Sequence, residues 1–87
     1  MILVIGSDGF IGKHIRLYAK ISKPELPDLW FSIEVEPNAT GEYVIAVGIT
    51  NSSYNRSTVS FWTAPDKALE TTTYNPGTFP IINLTFP

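Results

Sequence analysis

The amino-acid sequence predicts an all-β fold, a small antiparallel β-sandwich or barrel of about six short strands. Residues 28–36 and residues 42–50 each alternate strictly between two sets of side chains, one of which is apolar throughout. Successive side chains of a strand point to opposite faces of a sheet, so this period of two predicts two strands, each with one buried face. Elsewhere, glycine and proline separate short apolar segments at a spacing typical of a sandwich or barrel.

The two alternating strands are predicted to pair as an antiparallel hairpin. Residues 37–41, Pro-Asn-Ala-Thr-Gly, join them and have the composition and length of a hairpin turn. A shift of one residue would turn every buried side chain towards solvent, so the pattern also predicts which residues face the core. The residues expected on the buried face of this hairpin are Phe31, Ile33, Ile45 and Val47.

Further elements are predicted in the carboxy-terminal half. In chain order they are a strand at 58–64, one helical turn at 67–70, extended chain at 71–74, a turn at 75–77 and a last strand at 81–86. The last strand also alternates, so Ile82, Leu84 and Phe86 are expected to share its buried face.

The amino-terminal third carries a glycine-rich motif, Gly-Ser-Asp-Gly-Phe-Ile-Gly at residues 6–12, directly after the apolar run Met1–Ile5. This motif resembles the cofactor-binding turn of extended short-chain dehydrogenases, the nucleotide-sugar epimerase type. The resemblance implies a helix after residue 12 and a ribose-binding carboxylate at Glu34 or Glu36. The rest of the chain departs from that family, because it predicts turns and strands and lacks the catalytic Tyr-x-x-x-Lys pattern.

A β-hairpin accounts for the same residues and is our prediction. Asp8-Gly9 is a strong two-residue turn because both positions tolerate a positive φ angle. Such a turn sets Ile2 opposite Ile15, and residues 13–22 then alternate between two faces as a strand does. The alternative is a helix over residues 13–22 without a cofactor. We expect no cofactor, and in particular no binding of NAD(H) or NADP(H).

The composition limits the classes of function. The chain has 87 residues, no cysteine, 16% charged residues and a formal net charge of −2. We expect a single domain over residues 1–87 with a small core and neither disulfides nor thiolate metal ligands. We expect neither nucleic-acid binding nor membrane insertion, because the chain has no basic field and no apolar run near the roughly 20 residues that span a bilayer. The first residues also lack the features of a signal peptide.

Residues with catalytic potential are few. His14 is the single histidine, and no nucleophile, base and orienting group can be assigned around it. Glu34 and Glu36 share a strand face with Trp30, an arrangement that suits sugar binding or glycoside cleavage but is common on solvated strands. We therefore expect no catalytic and no metal-binding residue, and no enzymatic activity.

Four of the five asparagines stand in Asn-x-Ser/Thr motifs, at positions 38, 51, 55 and 83. This is the acceptor motif for N-glycosylation. Loops rich in asparagine, serine and threonine would contain the same motifs without any glycan. Asn38, Asn51 and Asn55 are the candidate glycosylation sites, because they fall in predicted loops.

The two ends of the chain predict assembly with other subunits. Met1–Ile5 is entirely apolar, and residues 71–87 contain no charge. A strand that is apolar on both sides needs cover on both faces, and an uncharged edge otherwise recruits other chains. The residues expected to contact another subunit are Phe79, Ile81, Ile82, Leu84 and Phe86.

These observations predict a non-enzymatic structural or interaction module of a larger assembly, either a virion component or an extracellular filament or coat protein. Its partners would be copies of itself or other structural subunits, and its location the virion or the cell exterior. One alternative is a nucleotide-binding fragment built on the glycine-rich turn. The other is a carbohydrate-binding module whose aromatic surface comprises Trp30, Trp62, Tyr54 and Tyr74.

Overall fold

The computed structural model describes residues 1–6, 14–39, 41–63 and 66–87, with the side chains of Ile2 and Val4 outside that description. It confirms the predicted fold class as a sandwich of two β-sheets rather than a closed barrel. The strands are β1 (Ile2–Gly6), β2 (Ile15–Ser22), β3 (Leu29–Val35), β4 (Glu42–Ala46), β5 (Thr58–Thr63), β6 (Asp66–Thr73) and β7 (Ile81–Asn83). A turn of 3₁₀ helix, Ser52–Tyr54, lies in the loop before β5.

The seven strands form a three-stranded and a four-stranded sheet. β1 is central in the smaller sheet, antiparallel to β4 on one side and parallel to β7 on the other. The larger sheet has the order β3-β2-β5-β6, and all its neighbouring strands are antiparallel. The first and last strands of the chain are therefore hydrogen-bonded neighbours.

The predicted hairpin of the two central strands is wrong, although both strands and their buried faces are confirmed. β3 pairs with β2, and β4 pairs with β1, so the two strands lie in different sheets. Alternation shows that a strand has one buried face, but it does not identify the neighbour that completes its hydrogen bonds. The connection after β3 passes from one sheet to the other, a separation of about 10 Å.

The predicted amino-terminal hairpin is also wrong. Residues 7–13, which include the Asp8-Gly9 turn, lie outside the described residues, but β1 and β2 belong to different sheets. Ile2 is paired with Ala46, and Ile15 is paired with Val35. The two strands contribute to one core from opposite sides, because the inward residues of both are fully buried. Residues 15–22 form a strand, so the helix implied by the dehydrogenase resemblance is wrong there.

Three carboxy-terminal elements differ from the predicted ones. The helical turn at 67–70 is wrong, because these residues belong to β6, which pairs with β5 across a bulge between Ser60 and Trp62. The strand predicted to reach residue 50 ends at Ala46, where its pairing with Ile2 of β1 also ends. The last strand ends at Asn83, although its predicted alternation continues, with Leu84 buried and Phe86 half-buried.

The core lies between the two sheets and takes fully buried side chains from every strand except β7, whose Ile82 packs against it half-buried. Its buried hydrophobic members are Leu3, Ile5, Leu17, Ala19, Ile21, Val35, Tyr43, Ile45, Val47, Tyr54, Val59, Phe61, Ala68, Tyr74 and Leu84. Tyr54 and Tyr74 anchor the loops, since the Tyr54 hydroxyl donates to the Pro27 carbonyl at 2.8 Å and the Ile49 amide donates to the Tyr74 hydroxyl at 3.0 Å.

The segment after β7 ties the two sheets together along one side of the sandwich. The Leu84 amide donates to the Gly6 carbonyl of β1 at 2.8 Å, and the Leu69 amide of β6 donates to the Thr85 carbonyl at 2.9 Å. The Glu70 carboxylate accepts the Thr85 amide, which lowers the pKa of Glu70. The carboxy-terminal residues therefore belong to the domain itself and cover the free edge of β6.

Candidate functional site

The outer surface of the three-stranded sheet exposes apolar side chains on both of its edge strands. Val44 is 64% exposed and Ile81 is 77% exposed. Both are in register with Val4 of the intervening strand, so they project from the same face, roughly 10 Å apart at the usual strand spacing. Ala46 lies on this face next to Val44, and Phe79, 69% exposed, precedes β7. We refer to Val44, Ala46, Phe79 and Ile81 as the apolar face.

The apolar face carries almost no charge. Glu42 is the one charged residue in the sequences of β1, β4 and β7, and it lies at the end of β4. Its backbone is held by the preceding turn, where the Asn38 Oδ1 atom accepts the Glu42 amide and the Asn38 amide donates to the Glu42 carbonyl, both at 3.0 Å. An exposed apolar surface of this kind is a candidate interaction site.

The structure separates the five predicted assembly residues into two groups. Phe79 and Ile81 point to solvent, whereas Leu84 is 5% exposed, and Ile82 and Phe86 are half-buried against the core. The strict alternation of the segment is the signal for this division, since the odd-numbered positions face outward. Sequence reasoning misses Val44 because the alternation places it on the solvent-facing side of its strand. The signal that could have found it is that Ala46 and Gly48 on the same side are also uncharged.

Trp30 and Trp62 form a second exposed feature, on the outer face of the four-stranded sheet. Their ring centroids are 5.8 Å apart at an interplanar angle of 57°. The Lys20 and Lys67 ammonium groups lie over the two rings, 5.4 Å from the Trp30 centroid and 5.6 Å from the Trp62 centroid respectively. The structure thus brings together the two tryptophans of the carbohydrate-binding hypothesis, while the two tyrosines named with them are buried in the core.

The tryptophan surface is already paired with its own neighbours. A sugar stacks on an aromatic face, and here lysine side chains occupy one face of each ring. The Trp62 indole nitrogen donates to the Ser60 hydroxyl at 3.1 Å, and Lys20 lies 3.6 Å from the Asp28 carboxylate. These contacts favour a structural role for the two tryptophans.

Glu34 does not have the properties of a general acid. Its carboxylate accepts a hydrogen bond from the Arg16 guanidinium and lies 3.6 Å from the His14 Nε2 atom. The hydrogen bond and the charge of Arg16 lower the pKa of Glu34, whereas a carboxyl that donates a proton near neutral pH needs a raised pKa. Glu34, Arg16 and His14 are all solvent-exposed. This cluster is a surface ion-pair network.

The candidate glycosylation sites lie in two loops of the sandwich. Asn38 and Asn51 are exposed, and Asn55 is half-buried. Asn51 caps the 3₁₀ turn, because its Oδ1 atom accepts the Ser53 amide at 2.9 Å. Lys23 fixes the same loop by donating to the carbonyls of Ser53 and Asn55 at 2.7 and 3.0 Å. The side chains of Asn38 and Asn51 therefore have structural roles in their turns, which account for asparagine at these two positions. Glycosylation stays a prediction.

Tyr43 carries a buried hydroxyl that has no hydrogen-bond partner among the described residues. Burial raises the pKa of Tyr43 to about 12, from 10.0 for a free tyrosine. The unfolded chain therefore loses this proton first. Below pH 10.0 the hydroxyl is neutral in both the folded and the unfolded state, and the free energy of unfolding falls as the pH rises from 10.0 towards about 12.

We expect the variant Tyr43→Phe to remove this alkaline sensitivity. The free energy of unfolding of the wild-type protein should fall relative to the variant between pH 10.0 and about 12. At pH 7 the variant should be at least as stable, because phenylalanine fills the same space without an unpaired hydroxyl. Urea unfolding at several pH values checks both points, and an identical pH dependence in the two proteins would contradict them.

Comparison with protein-family models, with curated proteins and with solved structures finds no match to this chain. Within the described ranges, no group of three or more histidine, aspartate or glutamate side chains could hold a metal ion. In the same part of the chain, no helix is long and apolar enough to cross a membrane.

Proposed function

We propose that this protein is a non-enzymatic interaction module that binds copies of itself within a larger assembly, such as a virion or an extracellular filament or coat. The apolar face is the observation that carries the proposal. Val44, Phe79 and Ile81 are mostly exposed in the single chain, and burying side chains of this size contributes about 1.5–3 kcal/mol each. An assembly contact provides that burial.

The charged groups of the other sheet support a non-catalytic role. Arg16 is paired with Glu34, and Lys20 with Asp28, on the outer face of the four-stranded sheet. Burying paired surface charges in a contact would contribute little to its free energy. The apolar face is therefore the surface whose burial would stabilise an assembly most. The candidate glycosylation sites Asn51 and Asn55 lie in a loop outside the apolar face, so glycans there are compatible with assembly at the cell exterior or virion surface, whereas Asn38 adjoins the edge of β4.

We expect the variant Ile81→Lys to abolish self-association through the apolar face. The substitution places a charge in the middle of the apolar face, where burial would require its desolvation. Sedimentation velocity over a range of protein concentrations should show that the variant forms smaller oligomers than the wild-type protein. Leu69→Lys is the matched control, because Leu69 is 71% exposed but lies on the other sheet, and it should leave the oligomers intact. A wild-type protein that stays monomeric at high concentration would contradict the proposal.

A further inference from the structure

We infer that β4 pairs edge to edge with β4 of a second copy, antiparallel and about a twofold axis at Ile45. This inference rests on the proposed self-association and adds a backbone contact to the one made by the apolar face. The two three-stranded sheets would join into one continuous sheet in the order β7-β1-β4-β4-β1-β7. The apolar faces of the two copies would then form one surface on the same side of that sheet.

The alternation of hydrogen-bonded and non-bonded residue pairs between β1 and β4 shows which backbone groups of β4 point away from β1. The Met1 amino group donates to the Val47 carbonyl at 3.1 Å, and the Val47 amide donates to the Met1 carbonyl at 2.9 Å. Bonded and non-bonded pairs alternate along an antiparallel ladder. Ile45 and Tyr43 therefore direct their backbone groups towards β1, whereas Glu42, Val44 and Ala46 direct theirs away from it.

Two of these three outward-directed residues are open for pairing. Glu42 is occupied, because its amide and carbonyl both bond to Asn38 of the preceding turn. The amides and carbonyls of Val44 and Ala46 have no partner among the described residues. Unpaired strand edges bind further strands when nothing blocks them.

The other strand edges are blocked in the ways that proteins commonly use. β3 and its flanking residues carry Asp28, Glu34 and Glu36, and β6 carries charges and is covered by the Thr85 carbonyl. β7 is three residues long. Charge, cover and short length each discourage edge pairing. β4 has none of these between Val44 and Ala46, so its edge is the one in the described sheets that is left available.

The edge of β4 is complementary to itself. With the axis at Ile45, Val44 lies opposite Ala46 of the second copy, and Ala46 opposite Val44, so the free amides and carbonyls of both residues find partners. Pairing is confined to these two residues of each copy, because Asn38 already bonds to the outward side of Glu42. Gly48 of the second copy follows the end of β4 and must turn away from the sheet there, which glycine permits. No like charges oppose each other in this register.

Cysteine cross-linking tests the register of the inferred β4–β4 pairing, because the chain contains no cysteine of its own that could form other disulfides. Val44→Cys and Ala46→Cys proteins are prepared separately, mixed and oxidised. Positions 44 and 46 of different copies lie about 5.5 Å apart between Cα atoms in the inferred pairing, within disulfide range. Identical positions are diagonal neighbours at about 7–8 Å. Mixed cross-links should exceed either homodimer cross-link several-fold.

Proline substitution tests the backbone pairing separately from the apolar contact. Ala46→Pro removes an outward amide and keeps an apolar side chain, and proline is tolerated on an edge strand when its missing N–H faced solvent. The loss of one hydrogen bond from each copy should weaken dimerisation about thirty-fold. The cross-linking register provides the second test if the proline variant does not fold. Ser32→Lys on β3 is the control and should dimerise normally.

The outcomes separate this inference from the proposed function. Dissociation by Ala46→Pro together with excess mixed cross-links supports β4 pairing. If Ile81→Lys dissociates the oligomer while Ala46→Pro does not, or if identical positions cross-link best, the copies meet face to face and the inferred pairing is overturned. A monomeric wild-type protein overturns both.

Discussion

Truncation of Phe61 to alanine is expected to lower the free energy of unfolding by about 3–5 kcal/mol. Phe61 is fully buried at the centre of the larger sheet and lies opposite Ala19 on β2. Because Ala19 is small, the aromatic ring fills the space between the sheets, and its loss leaves a cavity that neighbouring strands cannot close. The free energy of unfolding of such a domain is about 5–15 kcal/mol in total, so the substitution would remove much of its stability.

Chemical denaturation with the signal followed by circular dichroism measures this effect. Leu69→Ala is the appropriate control, because an exposed leucine on the same sheet should change stability by less than about 0.5 kcal/mol. A loss below about 1 kcal/mol for Phe61→Ala would show that the two sheets do not pack on this ring.

Leu84→Ala is expected to lower the free energy of unfolding by about 2–5 kcal/mol, although the residue lies beyond the last strand. Its side chain is 5% exposed, and its amide bonds to β1. The effect should appear at protein concentrations low enough to prevent self-association, because the contact lies within one chain. Urea unfolding of the dilute protein measures it.

Ile81→Ala is the matched comparison for Leu84→Ala. Both residues belong to the same charge-free segment, but Ile81 points to solvent, so its truncation should change the stability of the monomer by less than about 0.5 kcal/mol. It should weaken self-association instead. Equal destabilisation of the monomer by the two substitutions would contradict the division of this segment into a core side and an assembly side.

The sequence predicts the strands and their buried faces more reliably than their partners. The alternation of Leu17, Ala19 and Ile21 with half-buried polar neighbours is a local property, since it follows from the pleat of a single strand. The pairing of β1 with β4 and β7 depends on residues far apart in the chain, and no local pattern encodes it. A favourable turn sequence such as Asp8-Gly9 therefore does not determine which strands pair on either side of it.

The same distinction applies to the candidate site. Ile81 can be predicted as a contact residue because the carboxy-terminal segment lacks charge. Val44 cannot, because its importance depends on β4 being an edge strand whose outer face continues that of β7. The contact between Trp30 and Trp62 likewise cannot be predicted from their spacing in the sequence, because it depends on β3 and β5 lying on either side of β2.

The parallel pairing of β1 and β7 has a mechanical consequence. When the amino terminus and the carboxy terminus are pulled in opposite directions, these two adjacent strands are drawn past each other along their length. The hydrogen bonds between them, evenly spaced in a parallel ladder, then carry the load together in shear and cannot open one at a time. A chain of such modules linked through their ends would resist stretching at the β1–β7 contact.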